Sequence, residues 1–102
     1  MKFKTFYCTS MTRKFTLTLA PEAGAINMFY AFLNGNRIIA DEGTETRSWE
    51  GEIDTAEVRI KVRVMGIDDA QYTATFNLPG TAEDQSLTFI LTGGYHEFEL
   101  RV

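Results

Sequence analysis

Cysteine is nearly absent from this chain of 102 residues, and this limits how the fold can be held together. Cys8 is the single cysteine, so no disulfide can form within the chain and no Cys-x-x-Cys motif exists. We interpret Cys8 as an inert small hydrophobe. One cysteine is typical of a reducing compartment. Because no signal peptide follows Met1, we expect a cytoplasmic protein if Met1 is the natural start.

Membrane spans and catalytic motifs are also missing. No apolar run approaches the length of a span, and there is no nucleotide-binding glycine motif and no aromatic RNA-binding signature. His96 is the only histidine, and nothing in the sequence supplies the nucleophile and orienting group that a general base needs. We therefore expect no catalysis and no resident cofactor. The net charge of −4 argues against a nucleic-acid partner.

Alternation of apolar and polar residues is what the chain has in abundance. In Glu57–Met65 the apolar Val58, Ile60, Val62 and Val64 alternate with charged residues, the pattern of a strand with one buried face. Similar segments recur about every eight to twelve residues. This predicts an all-β fold, a two-sheet antiparallel β-sandwich of about eight or nine short strands forming a single domain over residues 1–102, with a small closed barrel as the alternative. The expected strands are Lys2–Cys8, Lys14–Ala20, Ile26–Leu33, Asn36–Ala40, Arg47–Ile53, Glu57–Met65, Gln71–Leu78, Ser86–Thr92 and Tyr95–Val102.

Short turn motifs suggest how some strands pair. Asn34-Gly35 predicts a hairpin in which Leu33 faces Asn36, Phe32 faces Arg37 and Tyr30 faces Ile39. Pro21 is expected to end its strand, since proline cannot donate to a ladder.

Gly93-Gly94 predicts a second hairpin. Pairing Thr92 with Tyr95 aligns Phe89 with Phe98 and Leu87 with Leu100, and it sets His96 opposite Leu91.

The segment from residue 23 to residue 33 is ambiguous, because its apolar spacing also fits a helix. We favour a strand, which is then apolar on both faces. A sandwich strand buries only one face in the core, so the other must meet another element, a ligand or a partner. The predicted interaction surface is Met28, Phe29 and Tyr30, together with Arg63.

Arg59, Lys61 and Arg63 form a basic row that has two interpretations. It is either a patch for phosphate, nucleic acid or an acidic partner, or part of an ordinary cross-strand charge ladder. If Ile53 faces Val58 across the Asp54 turn, Glu52 faces Arg59 and Glu50 faces Lys61, which favours the ladder. Only Arg63, opposite Ser48, is then left without an acid.

Acidic residues are concentrated in loops. If the strands are strictly antiparallel, the loops at 21–25, 41–46, 66–70 and 93–94 share one end of the molecule. Calcium requires six to eight oxygen ligands, and carboxylates converging from separate loops supply them. Asp41, Glu42, Asp68 and Asp69 are the candidate calcium ligands.

These observations support three functional hypotheses. The first is a non-catalytic module that binds a protein partner or forms a homo-oligomer. The second is a loop-tip module that uses calcium to bind carbohydrate or anionic lipid. The third is a small hydrolase that uses His96.

Overall fold

The computed structural model describes residues 12–54, 58–77 and 84–101, and it shows eight strands within these ranges. Lys2–Cys8 and the turn at 55–57 lie outside the described residues. The expected strand at Ile26–Leu33 is confirmed over its full length, and most other boundaries differ by one or two residues. The strands are β1 (Thr12–Ala23), β2 (Ile26–Leu33), β3 (Asn36–Glu42), β4 (Arg47–Asp54), β5 (Arg59–Gly66), β6 (Gln71–Phe76), β7 (Gln85–Ile90) and β8 (Tyr95–Arg101).

The strands form two antiparallel four-stranded sheets. Sheet A has the order β4-β1-β6-β7, and sheet B has the order β3-β2-β5-β8. The sheets are not closed into a barrel, so the predicted β-sandwich is confirmed and the barrel alternative is wrong.

The core fills the space between the sheets. Alternate residues of each central strand are fully buried, such as Leu17 on β1, Val62 on β5 and Tyr72 on β6. No polar or charged side chain other than the Tyr72 hydroxyl is buried within the described ranges. Burial of one face of each sheet is therefore the main stabilising interaction.

β1 does not end before Pro21 as expected but continues to Ala23. Its pairing with β4 stops at Leu19, and its pairing with β6 shifts register between Pro21 and Ala23. At Pro21 the strand therefore has a paired neighbour on one side only, which suits a residue that cannot donate to a second ladder.

The Asn34-Gly35 hairpin is confirmed at its turn and wrong further along. Leu33 pairs with Asn36, but a bulge follows, so that Ile39 faces Ala31 and not Tyr30. Asn34 and Gly35 both have positive φ, as this tight turn requires.

The predicted pairing of Arg47–Ile53 with Glu57–Met65 is wrong. β4 pairs with β1, whereas β5 lies between β2 and β8 in the other sheet. These two strands therefore belong to different sheets and do not pair as a hairpin.

The Gly93-Gly94 turn is confirmed by a bridge between Thr92 and Tyr95, but the strands then separate into different sheets. The expected pairing of Leu87 with Leu100 is wrong, because Leu87 faces Ala74. Phe89 and Phe98 do meet, with ring centroids 4.7 Å apart, but they stack between the two sheets.

Substituting two adjacent residues of β2, Phe29 and Tyr30, tests which face of this strand packs in the core. We expect Phe29→Ala to lower the free energy of unfolding by about 3–5 kcal/mol, because it leaves a cavity between the sheets. We expect Tyr30→Ala to cost at most about 1 kcal/mol, since its side chain points outward. Urea denaturation measures both, and equal losses would contradict this assignment of faces.

Candidate functional site

The outward surface of sheet B carries a row of apolar side chains beside a network of charged ones. We call it the outer B face and define it by the outward residues of β2, β5 and β8. Cross-strand register places them in rows, because directly opposed residues point to the same side. They are Met28, Tyr30, Phe32, Arg59, Lys61, Arg63, Met65, Tyr95, Glu97, Glu99 and Arg101.

One end of the outer B face is apolar. Met65 lies opposite Met28 on one side and Tyr95 on the other, so the three form a row across three strands. Met65 is 39% exposed and Tyr95 is 40% exposed. Tyr30 is half-buried and lies beside Met28 on the same face. We call these four residues the apolar row.

Phe29 does not belong to this surface, although the sequence placed it there. Its side chain is fully buried and meets the ring of Tyr72 at a centroid distance of 6.0 Å. The period-two geometry of β2 explains this, because Phe29 points inward when Met28 and Tyr30 point outward. Of the predicted interaction residues, Met28, Tyr30 and Arg63 share the outer B face.

Arg63 is not left without an acid, as the sequence-based pairing implied. Its Nε lies 3.1 Å from Oε1 of Glu97, its cross-strand partner on β8. Its guanidinium also lies 5.7 Å from the centroid of the Phe32 ring. Ser48 is in the other sheet and hydrogen-bonds to Thr18. The charge ladder exists, but its acids come from β8 and not from β4.

Glu97 connects the charged and apolar parts of the face. The Tyr95 hydroxyl donates a hydrogen bond of 2.6 Å to Glu97 Oε1, and Lys61 Nζ lies 3.7 Å from Oε2. The hydrogen bond from Tyr95 lowers the pKa of the Glu97 carboxyl, and the charges of Lys61 and Arg63 lower it further. The same hydrogen bond raises the pKa of the Tyr95 hydroxyl. Tyr95 is therefore held in one orientation on the surface.

The other end of the outer B face is a basic pocket of about 440 Å³. Glu99 Oε2 lies 3.8 Å from Arg59 Nε, and Glu99 Oε1 lies 3.3 Å from Arg101 Nη2, so one carboxylate forms ion pairs with two guanidinium groups. We call this concavity the Arg59 pocket. Its lining residues are Phe32, Gly35, Arg59, Lys61, Arg63, Glu99 and Arg101.

The outward surface of sheet A is uncharged over most of its width. Hydroxyl groups of neighbouring strands hydrogen-bond to one another at 2.9–3.0 Å, which satisfies them within the sheet. These pairs are Thr18 with Ser48, Thr73 with Thr88, and Thr75 with Ser86. Its charged residues lie on β1 and β4, where Lys14 Nζ is 3.2 Å from Glu50 Oε1. This surface does not offer a ligand a large apolar area.

His96 lies between the sheets, opposite Val64 and not opposite Leu91 as expected. Its Nδ1 is 2.7 Å from the Tyr72 hydroxyl, and its ring stacks on Phe89 at 4.5 Å. Burial lowers the pKa of His96 and raises the pKa of Tyr72. A neutral imidazole that accepts a hydrogen bond from the Tyr72 hydroxyl is consistent with the lowered pKa of His96 and with the raised pKa of Tyr72. This pair joins the two sheets but presents no activated nucleophile.

Three of the four loops predicted to share one end, those at 21–25, 66–70 and 93–94, are joined there by hydrogen bonds. The Gly66 amide donates to the Gly94 carbonyl at 2.9 Å, and the Ile67 amide donates to the Ala25 carbonyl at 3.0 Å. Asp68 Oδ1 accepts a hydrogen bond of 2.8 Å from the Gly93 amide, so this carboxylate stabilises the Gly93-Gly94 turn.

Asp41 and Glu42 belong to β3 and not to the loop where the sequence placed them. Among the described residues, no group of three or more histidine, cysteine, aspartate or glutamate side chains is arranged to hold a metal ion. The calcium site at Asp41, Glu42, Asp68 and Asp69 stays a prediction.

Sequence reasoning missed the contribution of β8 to the site. Tyr95, Glu97, Glu99 and Arg101 alternate with the inward residues of that strand, and this alternation is visible in the sequence. Which strand they lie beside is not visible there, because the Gly93-Gly94 turn suggests the wrong neighbour.

The eight strands of the described ranges form an antiparallel β-sandwich, and one of its sheet faces combines apolar and charged side chains. Comparison with known proteins finds no matching family model, no similar curated protein and no similar solved structure. Within the described ranges, no helix has the length and apolar character needed to cross a membrane.

The Tyr72–His96 contact predicts a pH dependence of stability. Because the folded pKa of His96 is lowered, the unfolded chain binds more protons just below the ordinary histidine pKa of 6.5. Stability is then fully present above that pH and is lost as the pH falls through the folded pKa. We expect the thermal midpoint to fall between neutral and mildly acidic pH in the wild type. His96→Phe should show a flatter profile over this range, and parallel profiles would contradict the assignment.

Proposed function

We propose that this protein is a non-catalytic β-sandwich module that binds another protein, or a second copy of itself, through the apolar row of the outer B face. The observation that carries the proposal is the row of Met28, Met65 and Tyr95 beside Tyr30 on the outside of a sheet whose other face already forms the core.

The composition of the apolar row supports a protein partner. Tyrosine and methionine are enriched in the buried centres of protein interfaces, where an aromatic ring supplies contact area and a thioether adapts to the partner surface. Tyr95 and Tyr30 each retain a hydroxyl that can hydrogen-bond at the edge of such a contact. The apolar row is small, which favours a weak or transient interface.

The surrounding charges favour specific association. Arg63 and Glu97 lie next to the apolar row and already form an ion pair, so a partner that docks here need not neutralise a buried charge. Exposed ion pairs at the rim of an interface contribute more to orientation and association rate than to affinity.

The interior of the protein gives less support to a catalytic function. The His96 imidazole is directed at the Tyr72 hydroxyl and packs between aromatic rings. A tyrosine with a raised pKa is a poor nucleophile at neutral pH, so this pair is best explained as a structural bond between the sheets.

Charge substitutions in the apolar row test the proposed interface. We expect Tyr30→Asp and Met65→Asp each to weaken association by about tenfold or more, because a buried carboxylate opposes desolvation of the contact. Ile90→Asp is the matched control, since Ile90 is 52% exposed but lies on sheet A. Sedimentation velocity measures self-association, and affinity capture followed by mass spectrometry compares bound partners.

The proposal is supported if the wild type and Ile90→Asp associate alike while the apolar-row variants do not. Circular dichroism and thermal midpoints establish that all four proteins are folded. A wild type that stays monomeric and captures the same proteins as Tyr30→Asp would overturn the proposal.

A further inference from the structure

The Arg59 pocket brings like charges together across two neighbouring strands, with Glu99 as the carboxylate between them. Arg59 faces Arg101 directly across the β5–β8 pair. Like charges in directly opposed positions destabilise an antiparallel pair, and an acid at either position would stabilise it.

Cations also outnumber acids around the pocket. Among the residues that the structure describes, four cationic side chains line it, and their ion-pair partners are Glu99 and the neighbouring Glu97. The whole chain has a net charge of −4, so this local excess of positive charge runs against the overall balance. A concave surface with such an excess attracts anions.

The Arg59 backbone is held in place by the Asn34-Gly35 turn. The Arg59 amide donates to Asn34 Oδ1 at 2.8 Å, and the Asn34 amide donates to the Arg59 carbonyl at 2.8 Å. Gly35 lines the pocket, and a side chain there would meet no atom within 4 Å, so the turn leaves the mouth open. The backbone that carries the first arginine is therefore preorganised.

The pocket combines these cations with one aromatic wall. Phe32 lines it, and the Arg63 guanidinium lies near the same ring. A volume of about 440 Å³ is within the range of small-molecule sites. A ligand with an anionic group and a flat or apolar portion matches these features.

We propose that the Arg59 pocket binds a small soluble phosphate ester, with Arg59, Arg101 and Lys61 on the phosphate and Phe32 against the organic portion. Guanidinium groups match phosphate oxygens in pairs, and a dianion suits several converging cations better than a single carboxylate does. The site shares a sheet face with the proposed protein interface, and its lining residue Arg63 lies opposite Tyr30. It does not rest on the proposed function, because Arg59 and Arg101 lie at the end of the face away from Met65 and Tyr95.

Phenyl phosphate is the probe that tests this site, because it has both an anionic phosphate group and a flat apolar ring. Titration into the isotopically labelled full chain is followed by amide chemical shifts, with inorganic phosphate and benzyl alcohol as comparison ligands. We expect shifts centred on Gly35 and Arg59, tighter binding of phenyl phosphate than of inorganic phosphate, and no binding of benzyl alcohol. Affinity should fall as salt is added, since exposed charges are screened.

Arg59→Gln and Arg101→Gln are each expected to weaken phenyl phosphate binding by about tenfold or more. Arg47→Gln is the control, because Arg47 is paired with Glu45 at the start of β4 in the other sheet. Met65→Asp should leave phenyl phosphate binding intact, because Met65 lies opposite Met28 and Tyr95 and none of the three lines the pocket, and this separates the site from the protein interface.

The proposal is overturned if phenyl phosphate does not bind, if its shifts are scattered over the surface, or if Arg47→Gln weakens binding as much as Arg59→Gln does. Binding to anionic vesicles without binding to soluble phenyl phosphate would also overturn it.

Discussion

The structure depends on the alternation of residues along β5, which is buried on one face and charged on the other. Val58, Ile60, Val62 and Val64 are fully buried between the sheets, whereas Arg59, Lys61 and Arg63 point outward. A shift of one residue in its pairing would carry three cations into the core, which no energy of cross-strand pairing could offset. β2 and β8 take their register from this strand, so it sets the positions of the apolar row and of the Arg59 pocket.

The fold class can be predicted from the periodicity of the sequence. The sheet to which each strand belongs cannot be predicted in this way. Period-two alternation in β5, β6 and β8 correctly indicates which side chains face inward. It carries no information about the neighbouring strand. Glu50 and Glu97 both have the charge and the parity to face the basic row, and sequence proximity favours Glu50. At two of the three places where a hairpin is expected, between β4 and β5 and between β7 and β8, the chain passes from one sheet to the other. Local turn chemistry does not determine which sheet the next strand joins.

The candidate site is partly predictable for the same reason. The second apolar face of β2 is visible in the sequence and identifies Met28 and Tyr30, since these residues have no place in a core that accepts only one face. Phe29 is misplaced on the surface by the same reasoning, because a strand apolar on both sides does not show which side is inward. Met65, Tyr95 and Arg101 are not identified, because their importance arises from the side-by-side arrangement of β2, β5 and β8. A pocket between distant segments is a property of topology and not of any one stretch of sequence.

The central position of β1 in sheet A also has a consequence for how the chain folds. Its two partners, β4 and β6, are separated from it along the chain by strands of sheet B, so neither edge of β1 can be paired by a short loop. The β2–β3 hairpin, in contrast, closes over the two residues Asn34 and Gly35. Local closure is fast, whereas pairing across long loops must first overcome their chain entropy. During synthesis we therefore expect one edge of β1 to lack its native partner until β6 has emerged, and an unpaired strand edge is open to unwanted strand pairing.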